Sequence, residues 1–134
     1  MTNRTVGAQS APRSRDQLIA RIQQAFDRHS IDEMRQLVFW GRADATTRES
    51  FDRHAAGDFD VQVGRISVEP VRPTEQLEYR VNGIAYRPTL PPLGRVNIDF
   101  VVPAGARARS RSTSYLFGVR DGAYYLLTAE PASR

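Results

Sequence analysis

The chain has 134 residues, 25% of them charged and 40% apolar, with a formal net charge of +4. That balance fits one globular domain and excludes a disordered polymer, a collagen-like repeat and a multidomain enzyme. All 19 basic positions are arginine, so lysine Schiff bases, phosphate-loop lysines and lysine general bases are out of reach, and the absence of cysteine removes disulfide scaffolds, thiol nucleophiles and cysteine-ligated metal centres.

No apolar run approaches the roughly 18 residues needed to cross a bilayer. The N-terminal MTNRTVGAQSAPRSR lacks the apolar stretch of a secretory signal, so the reading is a soluble, cytoplasmic protein that does not engage a membrane. Residues 1–13 hold only Val6 as a sizeable apolar side chain besides Met1 and read as a flexible tail ahead of a single domain at 14–131.

Ser14 and Gln17 have the spacing of a capping box, and Leu18, Ile22 and Phe26 follow at helical spacing, which predicts a first amphipathic helix. Ser30 and Glu33 repeat that spacing before Ile31, Met34, Leu37 and Val38, a short second helix. After Phe39, Trp40 and Gly41, a third helix is expected from Asp44 to Ala56, capped by Asp44 or Thr46, with Phe51 and Ala55 on one face and Gly57 at its end.

From Asp58 the apolar period becomes two. Phe59, Val61 and Val63 are followed by Ile66 and Val68, a one-residue slip at Gly64 and Arg65 that predicts a β-bulge. Leu77, Tyr79 and Val81 meet Ile84 and Tyr86 across Asn82-Gly83, a type I′ hairpin. The proline-rich stretch 89–94 cannot join a ladder, and Val96, Ile98, Phe100 and Val102 then form a long or central strand. Ser110–Val119 and Ala123–Ala129 make a second hairpin across Asp121-Gly122. The fold class is therefore α+β: three N-terminal helices packed on a curved, bulged antiparallel sheet of five or six strands.

The capped first helix, the short Ser30–Leu37 helix, the Phe39-Trp40 turn, the third helix and the bulged sheet together resemble the nuclear transport factor 2-like, or cystatin-like cone, superfamily over about 14–129. The Asn82–Pro88 block with Leu90-Pro91, and Ser112–Tyr115 with Asp121–Tyr125, are similar to small uncharacterised bacterial proteins. The resemblance implies a conical cavity between sheet and helices, dimerisation through the open face of the sheet, and functions ranging from isomerase or dehydratase to scaffold, among which fold does not choose.

No Walker loop, dinucleotide fingerprint, nucleophile elbow, His-Glu-x-x-His or calcium loop occurs. With only two histidines a histidine-rich metal site is impossible, and neither a metal nor a cofactor is expected. Phe26, Trp40, Phe51, Tyr79, Tyr86, Phe100 and Tyr115 would line a small apolar cavity, although each also reads as ordinary core or strand packing. Asp99, between Ile98 and Phe100, is either a general base or a solvent- or dimer-facing carboxylate. His54 is either a proton donor or a structural side chain, and His29 reads as a C-terminal cap of the first helix. Arg107, Arg109 and Arg111, with Arg95 and Arg120 on neighbouring strands, could form a phosphate-binding patch, but no aromatic residues interleave with them, so nucleic acid is not the expected partner. The leading expectation is a homodimeric, non-catalytic domain binding a small apolar ligand or a protein partner. An isomerase or lyase of the ketosteroid isomerase and dehydratase kind, using Asp99 with a tyrosine or His54, is the rival.

Overall fold

Ser14 and Ser30 act as the caps their spacing predicts. In the computed structural model, which describes residues 10–105 and 111–132, Ser14 Oγ accepts from the Gln17 N–H to begin α1 (Arg15–Asp27). Ser30 Oγ accepts from the Glu33 N–H in the same way to begin α2 (Ile31–Gln36). For α3 (Ala45–Gly57) the cap is Asp44, whose Oδ1 accepts from the Thr47 N–H at 2.9 Å. Each such cap satisfies an otherwise orphaned helix donor and contributes about 1 kcal/mol. The apolar faces then turn the same way: Leu18, Ile22, Ala25 and Phe26 of α1, Met34 of α2, and Phe51 and Ala55 of α3 are buried in one core.

The strands are β1 (Val38–Phe39), β2 (Val63–Pro70), β3 (Tyr79–Val81), β4 (Ile84–Pro88), β5 (Gly94–Phe100), β6 (Arg111–Arg120), β7 (Ala123–Leu127) and β8 (Ala129–Pro131). They form a five-stranded sheet in the order β1-β7-β6-β5-β2 and a three-stranded sheet in the order β3-β4-β8. The helices cover one face of the larger sheet, to which β5 gives Val96, Ile98 and Phe100, β6 gives Tyr115 and Phe117, and β7 gives Leu126. Period-two patterning put these side chains on one face. The β2–β5 register shifts between Val63 and Arg65, where the bulge was expected. Both hairpin turns carry positive φ at both central residues, 51° and 82° at Asn82-Gly83 and 53° and 81° at Asp121-Gly122, as type I′ geometry requires.

The α+β class holds, and three details of the expected sheet are corrected. There are eight strands in two sheets among the described residues, instead of five or six in one. Nor is the larger sheet wholly antiparallel: β1 lies between α2 and α3 and pairs parallel with β7, Val38 opposite Leu126. A two-residue strand is too short to show a period in sequence. Finally, the last strand is split. β7 belongs to the larger sheet and β8 to the smaller, with Thr128 between them accepting the Thr89 N–H at its carbonyl, 3.0 Å away.

Part of the stretch read as a tail is fastened. Pro12 is buried and its carbonyl accepts from Tyr124 N–H at 2.8 Å, while Arg13 donates to the Asp121 carbonyl at 2.9 Å. Residues 1–9 lie outside the described residues. No helix among the described residues is long and apolar enough to cross a membrane.

Candidate functional site

The last turn of α3 and the first half of β6 meet at one end of the core. His54 and Asp58 are four residues apart and so share a side of α3. Arg111, Thr113 and Tyr115 alternate along β6 and share the face turned towards the helices. His54 Nε2 lies 2.6 Å from Thr113 Oγ1 and 3.9 Å from Asp58 Oδ2. One guanidinium ties the rest: Arg111 Nη2 donates to Asp58 Oδ1 and to the Gly57 carbonyl, both at 3.0 Å, and Nη1 lies 3.4 Å from Asp60 Oδ1.

A carboxylate at a helix C-terminus opposes the helix dipole, so Asp58 is held there by Arg111 against both burial and backbone charge. The compensation is half complete. Asp58 is 8% exposed and its Oδ2 has no hydrogen-bond partner among the described residues; the hydroxyl of Tyr115, also 8% exposed, has none either. Burial, reinforced by the Asp58 charge, raises the Tyr115 phenol well above its ordinary pKa, so this hydroxyl keeps its proton at neutral pH. An unpartnered buried polar atom costs about 1–3 kcal/mol, and two of them face the same exposed imidazole: the His54 ring lies 5.9 Å from the Tyr115 ring.

The expected cavity lining divides. Trp40 packs edge-on to Phe51 at 5.3 Å, Phe51 lies 5.9 Å from Tyr115, and Phe26 lies 5.8 Å from Phe100; these rings form an aromatic wall that is part of the packed core, and Tyr115 is the member that faces the Asp58 site. Tyr79 and Tyr86 do stack as cross-strand neighbours, 5.5 Å apart. They do so in the smaller sheet, where Tyr86 donates to Asp44 Oδ2, and they do not join the wall. Asp99 is exposed and paired in register with Arg65 and Ser112 on the face away from the helices, so β5 does not bring it to His54. The acidic partner of His54 is instead Asp58, where sequence reading found only the start of the strand region. The signal available for it was an acidic residue at a helix C-terminus, where a cation belongs. His29 adopts φ 51° just past α1 and stacks on Phe59 at 5.8 Å, so it ends the helix through its backbone conformation.

The arginine patch is engaged from within. Arg111 serves Asp58, Arg95 pairs with Glu75 and Glu69, and the Arg120 guanidinium lies over Phe39 at 5.2 Å. Arg107 and Arg109 lie outside the described residues.

A second buried carboxylate, unremarked in sequence, is Glu130 at 7% exposure. Its Oε1 accepts from the Arg42 N–H at 2.9 Å, and its Oε2 accepts twice from Arg87, at 3.2 Å each. Gly41, at φ 52°, leaves the room this requires, because a Cβ there would lie 2.5 Å from Glu130 Oε1.

The molecule is thus a small α+β domain with one closed carboxylate–arginine cluster and one open acidic and phenolic pair beneath an exposed histidine. Comparison with family models, with curated proteins and with solved structures finds no match to the chain. Among the described residues no group of three His, Cys, Asp or Glu side chains is placed to hold a metal ion.

Proposed function

We propose that this is a binding domain for a small, largely apolar molecule carrying a hydroxyl group, held where α3 meets β6, in an architecture of the nuclear transport factor 2-like kind. The observation that carries the reading is the pair of buried, unpartnered atoms, Asp58 Oδ2 and the Tyr115 hydroxyl, beside an aromatic wall. A ligand hydroxyl complements both: it donates to the carboxylate and accepts from the phenol. Because Arg111 already balances Asp58, a neutral ligand suits the site better than a charged one. The side chain of His54 is 55% exposed and covers the pair, so its rotation away from Thr113 is the way in.

The probe is phenol, with toluene as the hydroxyl-free control, each titrated to about 4 mM, below the aqueous solubility of toluene, while backbone NMR shifts are followed. Phenol is expected to move Thr113, Tyr115 and His54 and to bind more tightly than toluene. Tyr115→Phe is expected to cut the preference by about fivefold, the worth of one neutral hydrogen bond. Equal binding of the two probes, or shifts confined to other parts of the chain, would overturn the reading.

A second reading, proton transfer in an isomerase or lyase, is favoured by one distance, the 3.9 Å between His54 Nε2 and Asp58 Oδ2. It replaces Asp99 with Asp58 as the acidic group. Deuterium exchange at the carbon next to the carbonyl of a cyclic ketone, faster with wild type than with Asp58→Asn or His54→Gln, is the expected result. Equal rates in all three would remove it.

A further inference from the structure

We propose that β2 is a self-pairing edge: it aligns antiparallel with β2 of a second copy about Ser67, joining two five-stranded sheets into one of ten strands. Strand β2 ends the sheet order, with β5 on one side and no strand among the described residues on the other. Which of its backbone groups are spent follows from the ladder. The Val101 N–H donates to the Gln62 carbonyl, and hydrogen-bonding residues alternate along an antiparallel pair. Asp99, Asn97 and Arg95 therefore direct their backbone at Arg65, Ser67 and Glu69, their register partners. The N–H and C=O groups of Ile66 and Val68 consequently point outward.

The sequence of that edge, Arg65-Ile66-Ser67-Val68-Glu69, is complementary to its own reverse. With the two-fold axis at Ser67, Arg65 lies opposite Glu69 of the second copy, Ile66 opposite Val68, and Ser67 opposite Ser67. The outward-facing residues fall opposite one another, so Ile66 and Val68 exchange four backbone hydrogen bonds with the second copy. On the face away from the helices, two opposite-charge pairs form. On the helix side, the half-buried Ile66 and Val68 cover their counterparts.

Charges on edge strands ordinarily guard against pairing. Here the two charges have opposite sign and sit symmetrically about the centre, so antiparallel self-pairing is attractive, whereas an in-register parallel pairing sets like against like. The bulge at Gly64 and Pro70 at the other end confine the ladder to these five residues. Among the described residues Arg65 makes no ion pair, while Glu69 accepts from Asn97 at 2.9 Å and lies 3.7 Å from Arg95. Arg65 has Asp99 as its register partner on β5 but makes no close ion pair with it, so its guanidinium is free to meet Glu69 of a second copy. A groove of about 280 Å³ lined by Arg15, Val68, Glu69, Pro70, Leu93 and Phe117 leaves the helix side of this edge open to an incoming strand.

The experiment is native mass spectrometry and sedimentation of the full chain from about 10 to 500 µM at low salt, with circular dichroism confirming that each variant is folded. Wild type is expected to dimerise with a concentration-dependent, salt-weakened equilibrium. Arg65→Glu and Glu69→Arg, each alone, place like charges together twice and are expected to weaken the dimer by about thirtyfold. Mixing the two variants restores both opposite-charge pairs, so a heterodimer of wild-type affinity is expected. Val68→Pro removes one outward N–H without touching the β2–β5 ladder and is expected to abolish pairing. A wild type that stays monomeric at 500 µM, a dimer indifferent to both reversals, or a mixture that fails to associate would each overturn the proposal.

Discussion

Two carboxylates, Glu130 and Asp58, are almost equally buried, at 7% and 8% exposure, and both are met by arginine. Their surroundings differ in completeness. Glu130 has partners on both oxygens, from the Arg42 backbone and from Arg87, and a glycine at position 41 makes the room. Asp58 has Arg111 on one oxygen and nothing on the other, beside a phenol equally unpartnered. Burial of a charge is unfavourable in both places. At Glu130 the cost is offset locally and the cluster ties the α2–α3 connection to the smaller sheet. Around Asp58 part of the cost remains, since Oδ2 and the Tyr115 hydroxyl have no partner among the described residues.

The largest test of this contrast is Glu130→Ala. It leaves the part-buried Arg42 N–H without its acceptor, removes the anchor of two half-exposed guanidinium groups and opens space, and a loss of about 2–3 kcal/mol is expected in chemical denaturation. The same carboxylate predicts a pH dependence. Burial pushes the Glu130 pKa up, but hydrogen bonds from the Arg42 backbone and Arg87, with the two guanidinium charges, outweigh it, and the net direction is down. A depressed carboxylate stabilises the fold above its unfolded pKa and loses that contribution as pH falls through the lower, folded value. Wild type should therefore lose stability below about pH 4.5, the ordinary glutamate value, more steeply than Glu130→Gln, and parallel acid titrations would refute this.

Next in size is Arg111→Gln, which strands both oxygens of Asp58. A loss of about 2 kcal/mol is expected, most of it recovered when Asp58→Asn is added, since the penalty lies in the unpaired charge. Gly41→Ala should cost about 1–2 kcal/mol, from a left-handed backbone and a methyl group pressed on Glu130. Smallest is Tyr115→Phe, expected to be more stable than wild type by about 1 kcal/mol, the low end of the cost of an unpartnered buried polar atom, because its hydroxyl makes no hydrogen bond to lose. A large loss there, comparable with that at Glu130, would erase the distinction between the two carboxylate regions.

Much of the local structure was legible. Ser14, Ser30 and Asp44 cap their helices because a side-chain oxygen near a helix start has one nearby set of donors to satisfy. The slip after Val63 marks the bulge because a period of two cannot absorb an extra residue without reversing faces. His54 and Tyr115 were named as candidates, and they do meet. Asp58 and Thr113 were not, since nothing in one dimension says that the end of α3 will lie against the start of β6. Asp99 shows the opposite error. Its alternation was read correctly, pointing away from Ile98 and Phe100, but the catalytic option required a cavity on that face, and the helices cover the other one.

The sequence by itself determined the class of fold, the helix starts, the two type I′ hairpins, the bulge and the exclusion of every lysine- or cysteine-dependent chemistry. Those features depend on neighbours a few residues apart, or on composition alone. Only tertiary structure decided that Val38 and Phe39 would add a parallel strand, that the Tyr79–Pro88 hairpin would enter a separate sheet, and that Asp58 rather than Asp99 would share a site with His54. These depend on contacts between residues far apart in the chain, fixed when the apolar faces of three helices and a sheet close on one core.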